Sequence, residues 1–178
     1  MSHPKSPLPV LYFVAITGRE IDIWKESLEI LNRYIGKIFL QSSIFNFSEF
    51  TDYYEKEMGK NLKKAIFFFK DLKSPEFLVE LKHICYEIER KFADGKGNRK
   101  INLDPGYIEL SKVVLSTFKN YSHRIYLGKG VYAEVTLIYK NKTFNPLSWT
   151  YPDYTQREII EIFNKAREEY KKVLNAYR

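Results

Sequence analysis

The side chains best placed to do chemistry flank a glycine turn. Between Arg124 and Glu134 the sequence RIYLGKGVYAE reads as two short strands around Gly128-Lys129-Gly130, a combination that suits a three-residue hairpin loop with Gly130 in the left-handed conformation. Counting outward from that loop sets Leu127 against Val131, Tyr126 against Tyr132, Ile125 against Ala133, Arg124 against Glu134 and His123 against Val135. Strand residues alternate between faces, so Ile125, Leu127, Val131, Ala133, Val135 and Leu137 form an apolar face, while Arg124, Tyr126, Tyr132, Glu134 and Thr136 form a polar one. A carboxylate opposite an arginine can hold the guanidinium fork for a bidentate contact to an anion. Two tyrosines beside it can receive a planar ring. His123, at the strand end on the apolar side, is a further candidate for ligand contact.

Three other clusters carry polar groups close to turn or helix-start signals. In NLDPGY (102–107), Asp104 precedes Pro-Gly and predicts a turn that the aspartate caps. In WTYPDY (149–154), Trp149 and Asp153 precede a helix start, where a carboxylate sits well beside a cation or a polar ligand. In TDYYEKEMG (51–59), Glu57 belongs to a short helix closed by Gly59. The candidate ligand-binding residues are therefore Arg124, Glu134, Asp104, Tyr126, Tyr132, His123, Asp153, Trp149 and Glu57.

Several familiar chemistries are excluded. The position five residues before Gly128 is His123, so no phosphate loop exists there. Gly128 to Val135 superficially resembles the glycine loop of protein kinases, but the chain is too short for that fold and lacks its other signatures. Three histidines and one cysteine give no zinc spacing. No cofactor is identified; a divalent magnesium or calcium ion held by Asp and Glu is left open.

Around these clusters the chain alternates strand and helix signals. Leu11 to Ile16 is a strand apolar on both faces. Thr17 with Glu20 predicts a capping box, and Ile21, Trp24, Leu28, Leu31 and Ile35 follow at helical spacing as far as Gly36. A second strand is expected over Lys37 to Phe47 and a third over Lys64 to Lys70. Ser74 and Pro75 open a helix whose apolar stripe runs from Leu78 to Phe92. Residues 107–118 fit a strand or one side of a helix. Asn141-Lys142 turns a second hairpin, and Thr155 with Glu158 caps a last helix with a face of Ile159, Phe163, Ala166, Tyr170, Val173 and Tyr177. The order predicts an α+β fold: an antiparallel or mixed sheet with helices mainly on one face, a ferredoxin-like first half, a β meander and a C-terminal helix.

Residues 1–9, with three prolines, read as a flexible arm before a single domain over 10–178. No run approaches the roughly 18 apolar residues of a membrane span and no secretory signal is present, so a cytoplasmic location is expected. Cys85 lies on the apolar stripe and is read as a small buried residue. The net charge of +7 favours anionic partners, although lysines outnumber arginines 21 to 8 and are spread along the chain.

The series FTDYYEKEMG (50–59), RKINLDPGYI (99–108), HRIYLGKGVYAEVTL (123–137) and WTYPDY (149–154) resembles an uncharacterised bacterial family, a domain of unknown function whose members are sometimes labelled GTP-binding. The missing phosphate loop, and the missing aspartate after Asn141-Lys142-Thr143, do not support that label. The resemblance implies no established activity, cofactor or catalytic residue. The expected function is a small enzyme or ligand-binding domain for an anionic, phosphate-bearing small molecule. The alternatives are a single-stranded RNA-binding module, with Tyr126 and Tyr132 for stacking, and a protein-interaction domain without a ligand.

Overall fold

Leu11–Gly18 is buried at every position because the strand it forms, β1, is covered on both sides. The computed structural model describes residues 1–177. After β1 come α1 (Ile21–Ile35), β2 (Ile38–Gln41), β3 (Phe45–Asn46), α2 (Glu55–Met58), β4 (Lys63–Phe69) and α3 (Phe77–Lys91). The second half contains β5 (Ile101–Ile108), β6 (Lys112–Thr117), β7 (Arg124–Gly128), β8 (Val131–Lys140), β9 (Thr143–Pro146), a 3-10 turn at Pro152–Thr155 and α4 (Arg157–Ala176).

All strands join one antiparallel sheet in the order β2-β4-β1-β5-β6-β8-β7, with β3 beside β4 and β9 beside β8. The first half is ferredoxin-like. Two split βαβ units, β1-α1-β2 and β4-α3-β5, interleave so that β4 and β1 are central, and α1 and α3 share one face. There Tyr12, Val14 and Ile16 pack with Trp24, Leu31, Leu81 and Cys85. The other face belongs to α4, whose Ile159, Phe163, Ala166, Tyr170 and Leu174 cover Leu11, Phe13 and Ala15. Phe163 meets Phe13 edge-on at 5.0 Å. The meander of β5, β6 and β8 then extends the sheet, with β7 and β9 sharing the far edge of β8. Among the described residues no helix is long and apolar enough to cross a membrane.

The structure corrects several local expectations. Asp104-Pro105-Gly106 is not a turn but mid-strand, paired along β1 from Ala15 to Phe13. Residues 107–108 finish β5 and 112–117 form β6, which decides for strand over helix. The expected second strand is broken into β2 and β3 at Ser42, whose backbone N–H and side-chain oxygen both bond to Ile66. Neither threonine caps its helix: Thr17 remains in β1, and the Thr155 hydroxyl donates to the Pro152 carbonyl to close the 3-10 turn. Val173 and Tyr177 are exposed, and Leu174 takes their place in the core.

The β7–β8 register pairs Arg124 with Glu134, Ile125 with Ala133 and Tyr126 with Tyr132, as the pattern requires. Gly128 replaces Leu127 opposite Val131, and Lys129 and Gly130 both take positive φ, so the loop is one residue shorter than expected. Burial of the faces departs from the prediction. Ile125 is 69% exposed and Leu127 43%, because β7 is an edge strand that no helix covers, whereas Glu134 and Thr136 on the polar side are buried. A bulge between Val135 and Leu137 sends these two residues to opposite faces.

Gly106 is required by packing. A Cβ there would collide with the Val114 carbonyl oxygen and the edge of the Phe13 ring. Gly106→Ala should cost about 1–3 kcal/mol in urea unfolding. Gly95→Ala, with no neighbour within 4 Å of the added carbon, should change stability by less than about 0.5 kcal/mol.

Candidate functional site

Where β1 ends, the α4 face of the sheet changes character. Its apolar series Leu11, Phe13, Ala15 gives way to Thr17, which lies between Lys64 of β4 and Asn102 of β5, with Asp104 one step further along β5. α4 does not reach these positions. They lie under the 3-10 turn that precedes it, where Asp153 and Tyr154 are buried. Lys64 Nζ stands 2.7 Å from Asp153 Oδ2 and over the rings of Phe47 and Tyr154. Lys64 is thus the ionic partner of Asp153 Oδ2, while the buried Tyr154 and Thr17 hydroxyls have no hydrogen-bond partner.

The adjoining edge of β5 is held by side chains in place of a strand. β5 and β6 pair only from Gly106 to Ile108. Upstream, Pro105 has no N–H to leave unsatisfied, and its carbonyl accepts from Ser116 Oγ at 2.8 Å. The Leu103 N–H donates to Glu89 Oε1 at 3.4 Å, and its carbonyl accepts from Lys82 Nζ at 3.5 Å; both side chains come from α3. Lys82 also lies 3.5 Å from Asp104 Oδ1. From there a chain of bonds runs outward. Asn102 Nδ2 donates to Asp104 Oδ2 at 2.9 Å, and Arg99 Nη1 donates to Asn102 Oδ1 at 2.8 Å. Arg99 Nε and Nη2 grip both oxygens of Glu57 at 2.8 and 2.9 Å. This bidentate grip holds the Glu57 carboxyl below its usual range, and burial pushes Glu89 up to about 7.

Glu134 organises the β7 side. It is 2% exposed and accepts three bonds: from His123 Nε2 at 2.7 Å, Arg124 Nε at 3.2 Å and Thr136 Oγ1 at 3.1 Å. His123, placed by the strand pattern on the apolar side opposite Val135, instead turns to this carboxylate and stacks on Trp149 at 5.1 Å. Trp149 is fixed by its own bond to the Val135 carbonyl. Arg124 Nη1 donates to the Lys119 carbonyl and Nη2 to the Tyr151 hydroxyl. All three guanidinium nitrogens are thus engaged within the protein, so Arg124 positions its neighbours and has no free fork for an anion.

Arg124 ties Glu134 to Tyr151, and Lys64 lies between Asp153 and the Tyr154 ring. Burial raises the pKa of Tyr151, and Glu134 and Asp104 raise it further against the opposing charge of Arg124. Burial raises Tyr154 as well, followed by the charges of Asp153, Asp104 and Glu134. Tyr54 is raised by burial and then by Asp104. The three phenols therefore stay protonated as hydrogen-bond donors. An open depression of about 560 Å³ at the β1–α1 turn is lined by the basic Arg19, Lys56, Arg99 and Lys100 and by the acidic Glu20, Glu55, Glu57 and Asp94, so it meets this network only at Glu57 and Arg99. Among the described residues no three His, Cys, Asp or Glu side chains are grouped to hold a metal ion.

Of the candidates read from sequence, His123, Arg124, Glu134 and Trp149 meet directly. Asp104 is linked instead to Glu57 through Asn102 and Arg99, and Asp153 pairs with Lys64. Tyr126 and Tyr132 pair with each other at 5.2 Å further out on the hairpin. The sequence reading missed Lys64, Lys82, Glu89, Arg99, Asn102, Tyr54 and Tyr151. Lys82 and Glu89 are seven residues apart, two helical turns, which places both on the buried side of α3. Lys64 is the second of two lysines, Lys63-Lys64, that open the apolar AIFFF run.

An antiparallel α+β sheet whose polar end gathers acids, cations and phenols defines a domain with a preformed polar centre. The sequence matches a family model described as a domain of unknown function, DUF4416, over residues 8–170, and the chain belongs to that family. No significant match was found among curated proteins or solved structures.

Glu89 faces Lys82 on its own helix, Arg99, Asp104 and the Leu103 N–H. Its folded pKa is raised from 4.5 to about 7, so the folded state binds the proton more tightly than the unfolded chain. Stability should fall as pH rises from 4.5 to 7, by up to about 3 kcal/mol. Glu89→Gln, which keeps an acceptor for Leu103, should flatten that slope in urea titrations across the same range. An unchanged slope would contradict the assignment.

Proposed function

We propose that this domain binds a small anionic, phosphate-bearing molecule at the polar end of the sheet, as a ligand-binding domain or as an enzyme acting on that molecule. The observation that carries the reading is the chain of polar groups that runs from Glu57 and Arg99 at the depression through Asn102 to Asp104, on a sheet face that is otherwise apolar. The depression reaches this chain at Glu57 and Arg99, and linked polar groups opening on a depression of ligand size are the usual make-up of a small-molecule site. The phenols of Tyr54 and Tyr151 supply neutral donors for phosphate oxygens. Arg19, for which no carboxylate partner is found among the described residues, supplies charge from the β1–α1 turn. Asp104, with its side chain 30% exposed and oriented by Asn102 and Lys82, is the carboxylate best placed to meet a bound molecule.

Thermal-shift titration with inorganic phosphate, nucleotides and sugar phosphates, with and without magnesium, tests the reading. A ligand at ten times its Kd stabilises by about 1.4 kcal/mol, a rise of roughly 3–6 °C for a chain of this size. Asp104→Asn, Tyr54→Phe and Arg19→Ala should each reduce the rise, while the surface change Lys142→Ala should not. If no phosphate compound stabilises the protein at millimolar concentration, or if the three site variants respond like the parent, the proposal fails.

A further inference from the structure

Outside the polar centre, the rim around Arg124 presents aromatic rings to solvent. Tyr53, Tyr121, Tyr126, Trp149 and Tyr151 are all well exposed, Tyr121 to 66%. Three of them are linked through Arg124 and His123. The Arg124 guanidinium lies over Tyr121 at 5.6 Å and bonds the Tyr151 hydroxyl. Tyr121 meets His123 at 5.4 Å, and His123 stacks on Trp149. On the same face of β7, two residues from Arg124, Tyr126 lies against Tyr132. Lys119 bonds the Tyr53 hydroxyl and sits 4.6 Å from that ring, and Lys129 is exposed at the hairpin tip. The carboxylate at the centre, Glu134, is buried and neutralised by Arg124.

Contiguous exposed rings of this kind mark an interaction surface, and the interleaved lysines fix the sign of the partner. We propose that this rim is a stacking surface for single-stranded nucleic acid, with the rings receiving two or three successive bases and Lys119 and Lys129 meeting the intervening phosphates. Stacking on aromatic side chains needs unpaired bases, because a duplex keeps its base faces inside. The Tyr151 hydroxyl is anchored by Arg124 and Trp149 by the Val135 carbonyl, so these two rings lose little side-chain freedom on binding. The surface borders the small-ligand site at Tyr151 but does not depend on Asp104.

Fluorescence anisotropy with labelled ten-nucleotide RNA, DNA of the same sequence and the corresponding duplex, at 50 mM salt, tests this proposal. Both single strands should bind, with the duplex at least tenfold weaker; tighter binding of RNA than DNA assigns the natural ligand to RNA. Of the two tryptophans Trp24 is buried, so quenching of emission on binding should come from Trp149. Tyr121→Ala should weaken binding roughly five- to hundredfold, and Tyr121→Phe should restore it. Both variants should melt like the parent, since this side chain is exposed. With two lysines on the backbone, raising salt from 50 to 200 mM should weaken binding only about sevenfold. Asp104→Asn, which impairs the small-ligand site, should leave this binding intact, so the two readings fail separately. No binding at micromolar protein, equal affinity for duplex, or unchanged binding by a Tyr121→Ala, Tyr126→Ala double variant would overturn the proposal.

Discussion

A single buried carboxylate, Glu134, sets the geometry on which the functional end of this protein depends. It brings a negative charge under the 149–155 segment and satisfies it with an imidazole, a guanidinium and a hydroxyl. Removing such a charge from water is expensive unless every lone pair is used, and that requirement fixes the positions of the partners. Arg124 is drawn in from the edge strand and hands its remaining donors to the Lys119 carbonyl and Tyr151. His123 is drawn from the loop before β7 and pins Trp149. The ring-lined rim and the polar centre are two sides of this one arrangement, with donors turned inward and rings left outside.

The same logic operates where β5 loses its strand partner. An unpaired sheet edge inside a protein would leave peptide groups unsatisfied. Here Glu89 and Lys82 of α3 take the Leu103 N–H and carbonyl, and Pro105 needs no donor partner. The consequence is that charged side chains are carried to the middle of a folded sheet, next to Asp104, and linked through Asn102 and Arg99 to Glu57. A strand in that position would have closed the sheet and excluded these groups. The gap between β5 and β6 is thus what allows acids and cations from α2, α3 and β5 to share one neighbourhood.

The α+β class, the ferredoxin-like first half and the β7–β8 register were legible in the sequence because each rests on local periodicity. The cross-strand partners Arg124 and Glu134 followed from counting outward from a glycine turn. Burial of those partners was not legible, since it depends on Trp149 to Thr155 folding back over the hairpin. Asp104-Pro105-Gly106 has the local chemistry of a turn, yet eight residues of pairing with β1 outweigh it, and the glycine is there for the Phe13 ring. Two Thr-x-x-Glu patterns resembled helix caps, and in both the threonine is committed elsewhere. The relay from Glu57 to Asp104 was hidden for a different reason: its members come from three elements, and only their convergence in space reveals it.

A double-mutant cycle between Arg124 and Glu134, measured by urea unfolding, tests the central claim most directly. Glu134→Gln leaves the guanidinium buried without its counter-charge and should cost about 3 kcal/mol or more, as breaking a buried pair does. Arg124→Met should add little on top of it, so the two changes should be strongly non-additive. If each change costs less than about 1 kcal/mol and the two simply add, the pair is an ordinary surface contact, and Glu134 does not organise this end of the protein.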